Sequence, residues 1–329
     1  MAKIIGNLVA EDDYTHPLGP EANFNESMYF NFFDPGNRWG GFVRLGNRAN
    51  EGRAEMTVAI YRPDGRALFM FKRPTIENND RFDAGGLSFD VIEPGQRLRT
   101  VYRGSVLDLA EPRVLTDPKA AFTTNPAVKI ELDLEHDAVG PMYGGSQSKE
   151  ESDRPAEQQF GKAHYEQHMA VTGTLKLGDE TIPIRGHGLR DHSWGPRYWQ
   201  AIAAYEWLTM NFGPDLGVMV STIRRDADHV RRGGVIVRGD EMEPIVWADV
   251  TAEYEPGTPF HKTVRADVET AKGERLRIDG SVMGFIPLRN RREGVTTQIG
   301  EGMTEWRLGD RVGYGLSEFL RTLETPSGS

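Results

Sequence analysis

Cysteine is absent from all 329 residues of this chain. Without it there is no disulfide, no thiolate nucleophile, and no zinc or iron–sulfur site built on sulfur. Long apolar runs are missing too. No stretch reaches the roughly 18 uninterrupted apolar residues of a membrane helix. The start, Met1-Ala2-Lys3-Ile4-Ile5-Gly6, meets Glu11-Asp12-Asp13 too soon to carry the apolar core of a secretory signal, so the expected location is the cytoplasm. Positive charge is in deficit: 39 Lys and Arg against 49 Asp and Glu give a formal net charge of −10. Such a surface repels phosphate backbones and anionic lipid, so neither nucleic acid nor a membrane is an expected partner. There is no P-loop, no G-x-G-x-x-G dinucleotide fingerprint and no G-x-S-x-G elbow.

What is present reads as β-structure. Ala54 to Tyr61 alternates apolar and polar residues, Arg62-Pro63-Asp64-Gly65-Arg66 supplies a turn, and Ala67 to Lys72 returns. Leu87 to Ile92 and Leu98 to Gly104 repeat the pattern around Glu93-Pro94-Gly95-Gln96. Gln167 to Leu177 is expected to pair with Thr181 to Ile184 across Gly178-Asp179. Further runs, Leu216 to Ile223, Gly234 to Arg238, Thr263 to Glu269 and Leu276 to Gly280, follow at similar spacing. Many short strands with few helices predict an all-β fold of two antiparallel barrels or sandwiches. The length suggests two domains. The polar run Gly144 to Pro155 suggests where they join: a first domain over residues 1–140, a linker or lid over 141–163, a second domain over 164–324, and a tail over 325–329.

The densest collection of chemically useful side chains lies between Arg185 and Trp199. It contains Arg190-Asp191-His192-Ser193-Trp194-Gly195 among several glycines, a composition expected of a shaped loop at a barrel mouth. His192 and Asp191 are candidate acid/base residues, although neighbours on a strand face opposite ways and would meet only if the chain bends. Arg190, Trp194 and Trp199 are candidates for binding a substrate. Tyr205 and Trp207, one residue apart in Tyr205-Glu206-Trp207, would share a strand face and could line the same pocket. His164, Glu166 and His168 alternate and would also share a face. That spacing suits a metal, but an exposed polar face at a strand start is commoner, so no metal or other cofactor is expected; His168 is counted with the substrate-binding residues. Arg38-Trp39-Gly40-Gly41-Phe42 and Phe82-Asp83-Ala84-Gly85-Gly86 could reach the same region.

The element Gly188-Leu189-Arg190-Asp191-His192-Ser193-Trp194-Gly195 resembles the Asp-His-x-Trp-Gly element of the family containing carotenoid hydratases (hydroxyneurosporene synthases) and AttH-like proteins. Tyr165 to Thr174 resembles the strand that leads into it, and the detailed likeness spans residues 164–199. The resemblance implies two lipocalin-like domains packed together and cofactor-free chemistry on an apolar, unsaturated molecule. His192 and Trp194 match the hydratase motif, with Asp191 preceding them. Tyr205 is a loose counterpart of the hydratases' tyrosine, and their further downstream aspartate has no counterpart here. Some fungal members of the wider group catalyse Diels–Alder cyclisations.

Three readings remain open on the sequence. The chain could be a hydratase, dehydratase, isomerase or cyclase acting on a hydrophobic terpenoid, steroid, polyketide or aromatic compound, alone or as a homodimer. It could be a lipocalin-type carrier that uses the pocket without proton transfer. Or the cluster could be a structural clamp. An enzyme needs His192 at a cavity, whereas a clamp buries the cluster with its polar groups satisfied.

Overall fold

The fold is described from a computed structural model, over residues 3–146, 161–198, 202–292 and 294–323. It is all-β with few helices: twenty strands, three short 3-10 turns and one short α-helix, α1 (Pro118–Thr124), among the described residues. No described helix is long and apolar enough to cross a membrane.

The first compact unit comprises Met1–Ala110, Asn125–Tyr198 and Gly239–Glu241. Its strands are β1 (Ile4–Gly6), β2 (Phe24–Asp34), β3 (Trp39–Arg48), β4 (Arg53–Tyr61), β5 (Ala67–Lys72), β6 (Asp83–Ala84), β7 (Leu87–Glu93), β8 (Arg97–Leu109), β9 (Ala127–Ala138), β10 (Met142–Ser146), β11 (Ala163–Leu177) and β12 (Glu180–Pro196). Eight of them close a ring of antiparallel pairs: β2, β3, β4, β5, β8, β9, β11, β12 and back to β2. Alternation along each strand fills the ring with Met28, Phe30, Val43, Leu45, Val58, Ile60, Leu132, Leu134, Met169 and Val171, all fully buried. The hairpin expected around Pro63-Asp64-Gly65 forms between β4 and β5, with Gly65 at φ 84°.

The second unit comprises Glu111–Thr124, Trp199–Arg238 and Met242–Ser329. Here β13 (Ala204–Asn211), β14 (Gly217–Arg224), β15 (Val230–Arg238), β16 (Glu241–Tyr254), β17 (His261–Thr270), β18 (Arg275–Arg292), β19 (Val295–Leu308) and β20 (Arg311–Leu323) run consecutively around a closed barrel. Its core is built on Leu208, Met210, Val218, Val220, Ile236, Val264, Ala266, Ile278 and Trp306. Each barrel therefore has its own apolar interior.

Two expectations are corrected. Residues 164–196 were assigned to the second domain, but β11 and β12 are staves of the first barrel, and the second unit takes up the chain at Trp199. Most of the polar stretch assigned as a linker or lid, residues 147–160, lies outside the described residues. Nor is Arg185 to Pro196 a loop. It continues β12, and its glycines serve close approach: a Cβ on Gly186 would fall 1.9 Å from the Phe33 carbonyl oxygen, and one on Gly188 only 1.8 Å from that of Asn31.

Candidate functional site

The register of β11 against β12 sorts the expected site residues. Tyr165 faces His192, Gln167 faces Arg190, Glu166 faces Asp191 and His164 faces Ser193. Paired residues share a face of the sheet, and the face alternates along each strand. Arg190, His192 and Trp194 therefore point inward with Met28 and Phe30, while Asp191 and Ser193 point outward with His164 and Glu166. The proposed partners Asp191 and His192 lie on opposite sides of the barrel wall.

Inward, the side chains form a closed polar network. Arg190, with no exposed surface, pairs with Asp13 and donates from Nε and Nη2 to Gln167 Oε1 at 2.9 and 2.6 Å. The Tyr165 hydroxyl donates to Asp13 and accepts from Arg190 Nη1 at 3.0 Å. His192 donates from Nε2 to Glu26 Oε1 at 3.0 Å, and its Nδ1 lies 3.1 Å from the Tyr165 hydroxyl. Glu26 also receives His16, through both its backbone N–H and Nδ1, and the Asn79 amide. Trp194 stacks on the His16 ring at 3.8 Å, and Phe82 meets His192 edge-on at 5.4 Å.

The electrostatics follow from these contacts. Burial works against an ionised Asp13, but the Arg190 guanidinium outweighs it and holds the carboxyl below its usual range. Burial likewise opposes a charged Glu26, and hydrogen bonds from His16 and His192 overcome it, bringing the carboxyl to about 2. Burial lowers His16, but Glu26 and then Asp12 more than compensate and its pKa rises. His192 has both ring nitrogens engaged and no exposed surface. His192 and Arg190 thus lie buried in the barrel interior.

Outward, the arrangement is open. His164 Nε2 donates to Asp191 Oδ2 and lies 3.7 Å from Glu166 Oε1. Half of the His164 side-chain surface reaches solvent, against 19% for Asp191 and 2% for Glu166. The protein around the His164 ring pulls its pKa down, but the Asp191 charge reverses this and raises it to about 9. Tyr143, opposite Glu166 on β10, is pushed well above the ordinary phenol range by burial and then by Glu166. An imidazolium, two carboxylates and a phenol thus share one face. His168, two residues beyond Glu166 on that face, is buried with its ring centre 6.4 Å from that of Tyr143.

The remaining expected residues fall elsewhere. Tyr205 and Trp207 belong to the second unit, on β13, where the Tyr205 hydroxyl donates to Glu318. Trp199 lies outside the described residues. Sequence reading missed Asp13, His16, Glu26 and Asn79, which lie far from the motif along the chain. Among the described residues, two clusters have donor atoms close enough to hold a metal: His16, Glu26 and His192 inside, and His164, Glu166 and Asp191 outside. The inner donors are already committed to one another. A shallow groove of about 660 Å³ on the second barrel is lined by Trp247, Asp267, Glu269, Arg275 and Arg277. Its charges neutralise each other in the pairs Arg277–Asp267 and Arg275–Glu269, so it is a solvated surface without free acid/base groups at its lining ion pairs.

Fold and face together define a protein of two lipocalin-like barrels carrying a polar outer cluster on the first. The chain belongs to the family described as Domain of unknown function (DUF7064), whose profile matches residues 9–322. Its fold is that of several solved structures. A protein assigned as AttH (NE1406), from Nitrosomonas europaea, aligns over 99% of this chain and 100% of its own, with a TM-score of 0.63 and 16% identity. Kievitone hydratase from Nectria haematococca aligns over 97% and 96%, with a TM-score of 0.56 and 13% identity. CghA aligns over 94% and 90%, with a TM-score of 0.56 and 12% identity. A search of curated protein sequences finds no match.

Proposed function

We propose that this chain is an enzyme that moves protons on a small organic molecule, as a hydratase, dehydratase, isomerase or cyclase, and that the work is done on the outer face of β11 and β12. The observation that carries this reading is the His164–Asp191 pair. It joins an acid/base couple from adjacent strands and reaches solvent, where a substrate can meet it. With its pKa at about 9, His164 holds a proton at neutral pH and can act as a general acid; Asp191 orients it and stabilises its charge. Glu166 and Tyr143 extend the hydrogen-bonding surface on one side. On the other, the buried Tyr29 ring stacks on Phe42 at 5.8 Å and packs that flank of the face. Kievitone hydratase, by its name, is a hydratase on the same fold. That analogy supports the reaction class at the level of fold and leaves the substrate unspecified.

The inner network is assigned the opposite role. Its polar groups bond to one another around Arg190 and Glu26, and they fasten the segment holding Asp12, Asp13 and His16 to the barrel interior. It is a clamp.

The test is a mass-spectrometric screen of unsaturated and hydroxylated small molecules with wild-type protein, His164→Gln and Asp191→Asn. Conversion by the wild type, with a loss of about 100-fold or more in both variants, is expected for removal of a general acid or its orienting partner. Conversion that survives both substitutions, or binding without conversion by the wild type, would overturn it. The latter outcome describes a carrier.

A further inference from the structure

Leu208 on β13 faces the interior of the second barrel, and the pairings around the wall carry that face to Ser317 on β20, Gly302 on β19 and Phe285 on β18. His261 joins them there. Its ring stacks on Phe319 at 4.2 Å and meets Phe285 edge-on at 5.1 Å. Phe260 lies against Phe285 at 4.8 Å, so three aromatic rings surround one imidazole.

The two ring nitrogens of His261 differ. Nε2 lies 3.1 Å from the Ser317 carbonyl oxygen and 2.8 Å from Ser317 Oγ. A carbonyl only accepts, so the ring proton belongs on Nε2 and Nδ1 is a bare acceptor. Ser317 Oγ can pass its own proton to Thr304 Oγ1 at 2.8 Å, and Thr304 donates to the Gly302 carbonyl at 2.9 Å. That chain of donors leads away from the imidazole and ends on backbone. Burial outweighs the Ser317 hydrogen bond and, with Arg321, brings the ring down to about 4, so it is neutral at pH 7. Yet Nδ1 is buried and has no partner among the described residues. A buried acceptor in that condition is costly, and it points to a donor still to come.

The barrel wall parts beside this group. β17 and β18 are paired from Glu269–Arg275 to Thr263–Ser281, whereas β18 runs on with β19 as far as Arg292. His261 opens β17 just past the last of those pairs. Beyond Ser281, Val282 and Phe285 face inward, opposite Thr304 and Gly302. Both are only half-buried, while Pro287, further along the same strand, is buried. Exposed surface on inward-facing residues where two strands separate marks an opening into the barrel. Gly300, opposite Pro287, is half-buried as well. A Cβ on it would lie 2.7 Å from Phe285 Cζ and 3.6 Å from His261 Cε1, and its backbone is not in the left-handed region. What glycine preserves there is room for the two rings. A closed barrel of eight strands is also of the size that can hold one small ligand.

We propose that the second barrel binds a neutral alcohol, which enters where β17 and β18 part, donates its hydroxyl to His261 Nδ1 and lays its carbon skeleton against Phe260, Phe285 and Phe319. An alcohol is favoured over an ether, a ketone or a carboxylate because none of those can donate to a bare imidazole nitrogen. The apolar rings around a single polar atom suit a molecule that is mostly carbon with one hydroxyl. The inference goes beyond the function proposed above and does not rest on it.

The experiment is calorimetric titration of the full chain with octanol and benzyl alcohol, each beside its methyl ether, repeated on His261→Phe and His164→Gln. The histidine ring nitrogens of the wild-type protein are followed by NMR in the same titrations. Each alcohol should bind about fivefold or more tightly than its ether, since the ether keeps the skeleton and loses the donor. His261→Phe should erase that preference, and His164→Gln should leave it unchanged. The His261 Nδ1 resonance should start as that of an unprotonated nitrogen and move on adding alcohol but not ether. Equal binding of alcohol and ether, binding of neither, or a preference that survives His261→Phe would each overturn the proposal. A preference lost in His164→Gln would do the same, because it places the alcohol on the outer face of β11 and β12. Should His261→Phe fail to fold, the wild-type resonance decides: an Nδ1 signal unmoved by saturating alcohol sinks the site.

Discussion

At the scale of single residues, the two sides of one strand carry different work. His164 holds its proton to about 9 because Asp191 faces it. If His164 is the general acid, kcat/KM should be flat through neutrality and fall as pH rises through about 9, and His164→Gln should abolish that limb along with the rate. Glu26 makes the complementary case. Its folded pKa of about 2 lies below the 4.5 of a free carboxyl, so its contribution to stability is fully present above pH 4.5 and is lost as pH falls through 2. His16 is shifted up from 6.5, so its share is fully present below 6.5 and is lost as pH rises through its raised value. The clamp is therefore strongest between about pH 4.5 and 6.5. Glu26→Gln should cost about 3 kcal/mol or more, read as a lower urea midpoint, because it removes the charge partner of His16 and the buried acceptor of the His192 hydrogen bond. It should also flatten the midpoint-against-pH profile on both sides of that window. A variant equal to wild type at pH 5.5 would mean that Glu26 is not the hub of the network.

At the scale of elements, turn chemistry was legible and strand glycine was not. Pro63, Asp64 and Gly65 announced the β4–β5 hairpin because each has a local conformational reason to be in a turn. The shared face of His164, Glu166 and His168 followed from alternation alone. The glycines of Gly186-His187-Gly188 suggested a loop, whereas they permit β12 to pass close over β2, a demand that depends on a strand about 150 positions earlier in the chain and leaves no local mark. The same distance hid the clamp: Asp13, His16 and Glu26 reach Arg190 and His192 only once the ring has closed. Two glycines should therefore respond differently to alanine. Gly188→Ala drives a Cβ to within 1.8 Å of the Asn31 carbonyl oxygen and must separate the strands; a loss of about 3 kcal/mol or more, or failure to fold, is expected. Gly65→Ala meets nothing within 4 Å and bears only the strain of φ 84°, so about 1 kcal/mol is expected. Equal thermal midpoints for the two variants would show that the close approach carries no energetic weight.

At the scale of the whole molecule, composition and strand rhythm were enough to indicate two β-barrels, but not where the chain passes from one to the other. A break in polarity is a poor marker of that point when a strand pair on its far side completes the first ring. Without β11 and β12 the first barrel has no stave between β9 and β2, and both of those strands present unpaired edges. The two boundaries thus make opposed predictions for fragments. Residues 1–198 retain all eight staves and should unfold in one cooperative transition; residues 1–163 should be collapsed or aggregated, with no protected amides in β2 or β9 by hydrogen exchange. The second barrel has a corresponding dependence on chain far from its strands. Arg113, in the 3-10 turn Pro112–Thr116, pairs with Glu255 and lies over the Phe260 ring at 5.4 Å. A fragment beginning at residue 199 lacks that turn, and adding a peptide of residues 111–124 should raise its thermal midpoint. If the peptide has no effect and the fragment 1–163 folds cooperatively, the barrel boundaries are those of the polar stretch, and the ring through β11 and β12 is not the unit that folds.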